Sequence, residues 1–265
     1  MIPLKDYNPT TTFPFVTVIL IAACVWIYFF VQPSGQSTFL ERTAQDEVED
    51  IRWTVRNAAI PCELVKGRPL TNGELVETFR DGDTTACQDD PRGQAFAPQK
   101  NVYVAALVSM FLHGGLLHLA GNMLFLWVFG NNIEDRLRPW WYVAFYLAGG
   151  VVATLAHVVL EPHSTVPVVG ASGAIAAVMG AYLVLFPNAP ILSIVPIFFL
   201  GFFTEISAKW LLGFWFVSQF FLSPNSGVAW AAHVGGFVFG VLVALVLRER
   251  LQPPPQALGW AAEPY

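Results

Sequence analysis

Charge is scarce in this sequence and unevenly placed. Asp, Glu, Lys and Arg make up only 12% of the 265 residues, and 20 of these 33 side chains lie between residues 33 and 100. A soluble domain of this length carries charge along every surface helix, so an ordinary soluble fold is excluded for the rest of the chain. The remainder is apolar enough to raise the hydrophobic fraction to 55% and the mean hydropathy to +0.53, values that point to lipid as the main solvent. An excess of basic charge is also missing. The net charge is −5, and the polar stretch alone holds 12 acidic and 8 basic residues, so no surface suits nucleic acid.

Acids are nearly absent from the apolar runs. Outside the polar stretch and the loops, Glu205 is the one carboxylate that falls near such a run, which argues against the buried acid pathway of an ion-coupled transporter. His113, His118 and His233 lack a fourth ligand, so neither a metal nor another cofactor is expected. Cysteine is sparse too. Cys24 sits in the first apolar run, whereas Cys62 and Cys87 share the polar stretch and form a candidate disulfide if that stretch faces an oxidising compartment. There is no internal repeat and no low-complexity tract.

What is present is a series of long apolar runs. Residues 13–31 match the ~20 residues that ~30 Å of hydrocarbon requires, with Lys5 alone before them and no clean cleavage site after them, so they read as a first span rather than a removed leader. Further spans are expected at 115–133, 139–160, 171–187, 206–222 and 229–247. The connection 186–205 reads either as an interfacial hairpin or as part of the fifth span. Arg136 and Arg138 follow the second span, Lys209 opens the fifth and Arg248 and Arg250 follow the sixth, while 161–170 and 223–228 contain no Lys or Arg. By the positive-inside rule both termini are cytoplasmic and the polar insert lies outside. The expected fold is an all-α membrane protein, a six-transmembrane-helix bundle with a polar extracytoplasmic insert between helices 1 and 2. Its parts are a cytoplasmic N-terminus with the first helix (1–32), the insert (33–100), a core of helices 2 to 6 (101–247) and a cytoplasmic Pro-rich tail (248–265). Within the insert, Val48, Ile51 and Val55 recur at helical spacing and predict a short amphipathic helix ahead of Pro61. Gln252 to Gln256 reads as a polyproline-like or disordered end.

Polar residues inside spans are costly and are the first candidates for chemistry. Three clusters stand out: His113-Gly-Gly-Leu-Leu-His118-Leu-Ala-Gly-Asn122 opening the second span, Gly170-Ala-Ser172-Gly173 opening the fourth and Ala231-Ala-His233-Val-Gly-Gly236 opening the sixth. In the derived topology these three spans run in the same direction, so all three clusters share one depth near the outer surface. Ser172 alone could be a structural serine bonded to a backbone carbonyl, and His233 alone a satisfied core histidine. Their shared depth favours a nucleophile and its base instead. Gly170 and Gly173 allow a tight turn at Ser172, and the helix after it aims its N-terminal amides at developing negative charge. Gly236 and Gly240 share a stripe with His233 and match Ala176 and Gly180 below Ser172, which lets the two helices approach closely. The sixth span carries no acid near His233, so a dyad rather than a triad is expected. His118 and Asn122, four residues apart, lie on one helix face and can both donate to an oxyanion. His113 is expected to organise the preceding loop by hydrogen bonds.

These residues resemble the rhomboid intramembrane proteases, known by His-x4-His-x3-Asn in the second span, Gly-x-Ser-Gly at the fourth and Ala-His-x2-Gly in the sixth. All three occur here, in order, within 102–247. The resemblance implies a rhomboid-like bundle acting as a serine endopeptidase. Ser172 would attack the scissile carbonyl and His233 would take its proton, with His118, Asn122 and the Ser172 amide holding the oxyanion. It implies membrane-spanning proteins as substrates, cut near the outer surface of a bacterial inner or plasma membrane, with the fifth helix or a cap loop moving to admit them. Two departures accompany it. The position four residues after Ser172 is Ala176, where some members place an aromatic ring against the histidine, so other groups must hold His233. The Trp-Arg pair of the first loop is also missing. An inactive relative that binds membrane spans keeps the fold without the activity, but it should lack Ser172 or His233, and both are present.

Overall fold

The computed structural model describes residues 1–33, 43–89, 93–197, 200–222 and 227–251. Strand β1 (Ile2–Asp6) leads into helix α1 (Phe15–Phe30), followed by the insert helices α2 (Ala44–Asn57), α3 (Pro61–Lys66) and α4 (Asn72–Phe79). A short helix, α5 (Val102–Val108), precedes the long helices α6 (Leu116–Leu137) and α7 (Pro139–Leu160) and then α8 (Ser172–Leu185). Strands β2 (Pro190–Ile197) and β3 (Leu200–Ser207) come next, then α9 (Ala208–Ser218), α10 (Trp230–Val246) and a last turn, α11 (Arg248–Leu251). The expected polyproline-like end, 252–256, and parts of the insert and of the 223–228 connection lie outside the described residues.

Helices α6 and α7 each have 22 residues and are long and apolar enough to cross a membrane; α1, α8 and α10 are apolar but shorter. Pro139 separates the long pair: it cannot continue α6 but is well suited to start α7, and Arg138 takes φ 69° at the junction. Helix α8 is the centre of the bundle. Every residue from Ala174 to Tyr182 is buried, and α10, α7 and α6 surround it.

In the connection 186–205 the hairpin is the reading found, and because it is made of strands the all-α expectation fails there. Strands β2 and β3 form an antiparallel hairpin there, β1 adds to its edge with Ile2 opposite Ile194, and the result is a three-stranded sheet in the order β1-β2-β3. Hydropathy cannot separate a short apolar strand from a helical segment. The fifth helix is correspondingly shorter than the expected 206–222, running from Ala208 to Ser218 with a 3-10 turn at Gln219–Phe221.

The insert has a small core of its own, Val55, Ile60, Cys62 and Leu70, and a disulfide joins Cys62 to Cys87. Thr43 and Thr71 cap α2 and α4 with reciprocal bonds to Asp46 and Glu74. Lys100 and Glu63 form an ion pair that is almost wholly buried, and Lys100 Nζ also donates to the Val55 carbonyl. Burial pushes the Glu74 carboxyl up, but donors from Arg68, Thr71 and Gln88 outweigh it and hold the group at about 2. The amphipathic helix is present but longer than expected, and of its three apolar markers only Val55 is buried; Val48 and Ile51 are exposed because α2 docks by its C-terminal end.

Docking of the insert reaches the loop that leads into α8. Val168 N–H donates to the Ala59 carbonyl (2.8 Å), Cys62 N–H to Ser164 (2.9 Å) and Thr165 N–H to Thr84 (2.9 Å). At the opposite end of the bundle, Glu134 accepts from Val16 N–H, Thr17 N–H and the Thr17 hydroxyl, each at 2.8 Å, and so caps α1 from a neighbouring helix. This buried carboxylate belongs to α6, so Glu205 is not the only acid near an apolar run; Glu205 itself is exposed on β3.

Candidate active site

Three helix starts converge at the insert end of the bundle. Ser172 is the first residue of α8, and His233 lies in the first turn of α10. The imidazole Nε2 of His233 is 2.8 Å from Ser172 Oγ. That contact depends on backbone-to-backbone packing of α8 against α10: a Cβ on Gly236 would strike the Gly173 carbonyl, one on Gly240 the Ala177 carbonyl and one on Gly180 the Phe237 carbonyl. The seam on α8 therefore runs through Gly173, Ala177 and Gly180. Ala176, expected on that seam, is buried on another side of the helix.

The loop before Ser172 turns through Gly170, whose φ of 123° is a conformation that side-chain-bearing residues rarely adopt. A Cβ there would lie 2.9 Å from His118 Nε2 and 3.6 Å from Asn122 Nδ2, so His118 and Asn122 both approach this turn. Asn122 is buried, and among the described residues its Nδ2 has no hydrogen-bond partner. A buried amide donor is costly to leave unpaired. His118 Nδ1 accepts from Gly114 N–H at 3.4 Å, which leaves Nε2 as the protonated nitrogen on the Gly170 side. His113 is fully buried, its ring edge-on to His118 with centroids 5.4 Å apart. The bonds that fix its loop run through the main chain, His113 N–H donating to Gln32 Oε1 (2.9 Å) and Gln32 Nε2 to the His113 carbonyl (3.0 Å). Cys62 and Cys87 stand apart from this site, in the insert.

Two residues that hold His233 escaped the sequence reading. Gln219 Oε1 lies 2.8 Å from His233 Nδ1, and the Trp215 ring lies against the imidazole with centroids 5.7 Å apart. Both come from α9 and the turn after it, and they occupy the supporting role left open by Ala176. Gln219 did leave a signal: it is an amide within an apolar run, and it is 5% exposed.

The family model of the Rhomboid domain matches residues 100–250, which covers the site and all the helices that build it. The chain belongs to the rhomboid family. As a rhomboid it has an integral membrane fold made mostly of helices. It is 32% identical over 144 residues to the bovine mitochondrial presenilin-associated rhomboid-like protein, a match covering 51% of this chain and 36% of that one. It is 31% identical over 159 residues to the rhomboid protease GluP of Bacillus subtilis, covering 58% of this chain and 29% of the relative. The mitochondrial RHOMBOID-like protein 12 of Arabidopsis thaliana is 29% identical over 163 residues, covering 54% and 46%. The chain thus spans less than half the length of each of these three relatives.

Proposed function

We propose that this rhomboid is a serine endopeptidase that cleaves membrane-spanning proteins through a Ser172–His233 dyad. The observation that carries the reading is the 2.8 Å contact between His233 Nε2 and Ser172 Oγ, made near a buried Asn122 Nδ2 that has no hydrogen-bond partner among the described residues. In the reaction, Ser172 Oγ attacks the scissile carbonyl carbon as its proton passes to His233 Nε2. The carbonyl oxygen becomes an oxyanion and receives hydrogen bonds from Asn122 Nδ2, His118 Nε2 and the Ser172 backbone amide, the last at the positive end of the α8 dipole. The imidazolium returns the proton to the leaving amine. A water, deprotonated by the same imidazole, then hydrolyses the acyl-enzyme. The chemistry needs no cofactor. The name of the Bacillus relative, a rhomboid protease, supports the assignment of reaction class.

The reading places six apolar helices, α1, α6, α7, α8, α9 and α10, across the bilayer, with both termini cytoplasmic and the site near the outer face. The parts are 1–32, an extracytoplasmic insert at 33–100, a catalytic core at 101–247 and a cytoplasmic tail from 248, in a bacterial plasma membrane. The basic residues at one end and the disulfide-bearing insert at the other support that orientation. The test uses purified full-length protein in detergent with a labelled single-span substrate. Wild type is expected to cut it, and Ser172→Ala and His233→Ala to lose the activity. Cleavage that persists in Ser172→Ala, or that a chelator abolishes, contradicts the serine mechanism.

A further inference from the structure

His233 is also met by a residue from the turn that follows α9. His233 Nδ1 faces Gln219 Oε1 at 2.8 Å while Nε2 faces Ser172 Oγ at 2.8 Å, so the imidazole is held at both nitrogens. Which way round the Gln219 amide sits follows from its other bonds. Its Nε2 is 2.9 Å from the Trp215 carbonyl oxygen, an acceptor only, and 3.3 Å from Ser218 Oγ. Reversing the amide would set two oxygens against each other at the Trp215 carbonyl, so Oε1 is the atom that meets the imidazole. An amide oxygen can only accept. The proton of neutral His233 must then sit on Nδ1, which leaves the Nε2 lone pair for the Ser172 hydroxyl, the arrangement a general base needs.

We propose that Gln219 is a positioning residue that fixes the tautomer and ring plane of His233, as an aspartate does in a triad but without its charge. The inference rests on the serine-protease reading above. It also ties the chemistry to the position of one helix. Ser172 and His233 lie on α8 and α10, which are locked by the glycine seam, whereas Gln219 follows α9, whose outer face of Trp210, Phe214 and Val217 is exposed. A cavity of about 110 Å³ separates Leu211, Leu212, Phe214 and Trp215 of α9 from Phe125 of α6. Movement of α9 away from α10 would withdraw the acceptor from His233.

The test compares wild type, Gln219→Ala, Gln219→Glu and Ser172→Ala as full-length proteins. For Gln219→Ala, kcat is expected to fall about 10- to 100-fold, part of the 10²- to 10⁴-fold that a well-placed general base supplies, with KM unchanged. In Gln219→Glu a carboxylate beside Nδ1 favours the imidazolium, so the ascending limb of the kcat/KM profile is expected at higher pH, with more activity than Gln219→Ala above that limb. A readout independent of turnover is the ¹⁵N spectrum of labelled histidine, with His233 assigned by its loss in His233→Ala. Wild type should show Nδ1 protonated and Nε2 bare, and Gln219→Ala a mixture of tautomers; this comparison decides the matter even if Gln219→Glu does not fold. The proposal is overturned by an Nε2-protonated His233 in wild type, by an unchanged kcat in Gln219→Ala, or by equal losses in both variants with no movement of the pH limb. Serine-dependent cleavage with a Gln219-insensitive kcat sinks this inference alone, while cleavage by Ser172→Ala removes the dyad and this inference together.

Discussion

The two ends of helix α6 carry polar groups to opposite effect. At its start, His118 and Asn122 approach Gly170, and Asn122 Nδ2 is buried with nothing to donate to among the described residues. At its end, Glu134 accepts three hydrogen bonds from the first turn of α1, and Asp135 Oδ1 accepts from the main-chain N–H and the hydroxyl of both Thr11 and Thr12. The first end keeps a buried donor unused, which lowers stability; the second spends Glu134 and Asp135 Oδ1 on donors of the N-terminal segment and anchors that segment to the bundle. The difference separates the candidate site from a place that holds the fold. Substitutions at the two ends should therefore fail in different assays.

The largest expected effect is at the open end. Asn122→Ala should lower kcat by about 10- to 1000-fold, as loss of an oxyanion donor does, with no fall in thermal stability. A steady-state assay beside a melting curve reads both, and a drop in melting temperature with kcat preserved would assign Asn122 to the fold. At the anchoring end, Glu134→Ala strands the Val16 and Thr17 donors and should cost about 3 kcal/mol of stability, since buried groups left unpaired cost about 1–3 kcal/mol each. The folded fraction should retain wild-type kcat per active site, measured by titration with a covalent serine reagent. A large kcat loss in the folded fraction would mean that the two ends are coupled. Cys62→Ser tests the insert, which buttresses the open end. By loop-closure entropy the lost cross-link should cost about 3 kcal/mol, read as faster proteolysis within 43–89. Unchanged proteolysis would show that the insert core suffices without the bridge.

A pH dependence is expected at the anchoring end as well. Asp6 on β1, bonded by Asn132 of α6, is pushed up to about 7 by burial. Its folded-state pKa is above the ordinary 3.8, so the native state keeps a proton that the unfolded chain has released. Stability from this group should decline as pH rises from about 4 to about 7 and be level above that. Asp6→Asn should flatten that slope in melting curves taken across the range; a slope that survives the substitution would point to another group.

Much of the site was legible because membrane interiors tolerate few polar side chains. Ser172, His233, His118 and Asn122 stood out against their apolar surroundings, and the helix direction implied by Arg136, Lys209 and Arg248 brought them to a common depth. The glycine seam was legible for α10 and one residue out of place for α8, because Ala176 and Ala177 are equally small and only the packing chooses between them. A hairpin was one of the two readings open for 186–205, but its strands were hidden, since Pro190 to Ile197 is as apolar as a helical segment and its pairing with β1 joins residues almost two hundred positions apart. Glu134 was missed because it falls just past the last apolar residue of its run, where an acid ordinarily meets water. Gln219 was overlooked for a different reason: the search for a partner of His233 looked for an acid, and the imidazole is held by an amide.

The most direct test of the central claim is covalent. A fluorophosphonate probe added to the purified protein in detergent, followed by digestion and mass spectrometry, should place a single phosphonyl adduct on Ser172, absent from Ser172→Ala and strongly reduced in His233→Ala. An adduct on another serine, or equal labelling of Ser172 in wild type and His233→Ala, would contradict the account of Ser172 as a nucleophile activated by His233.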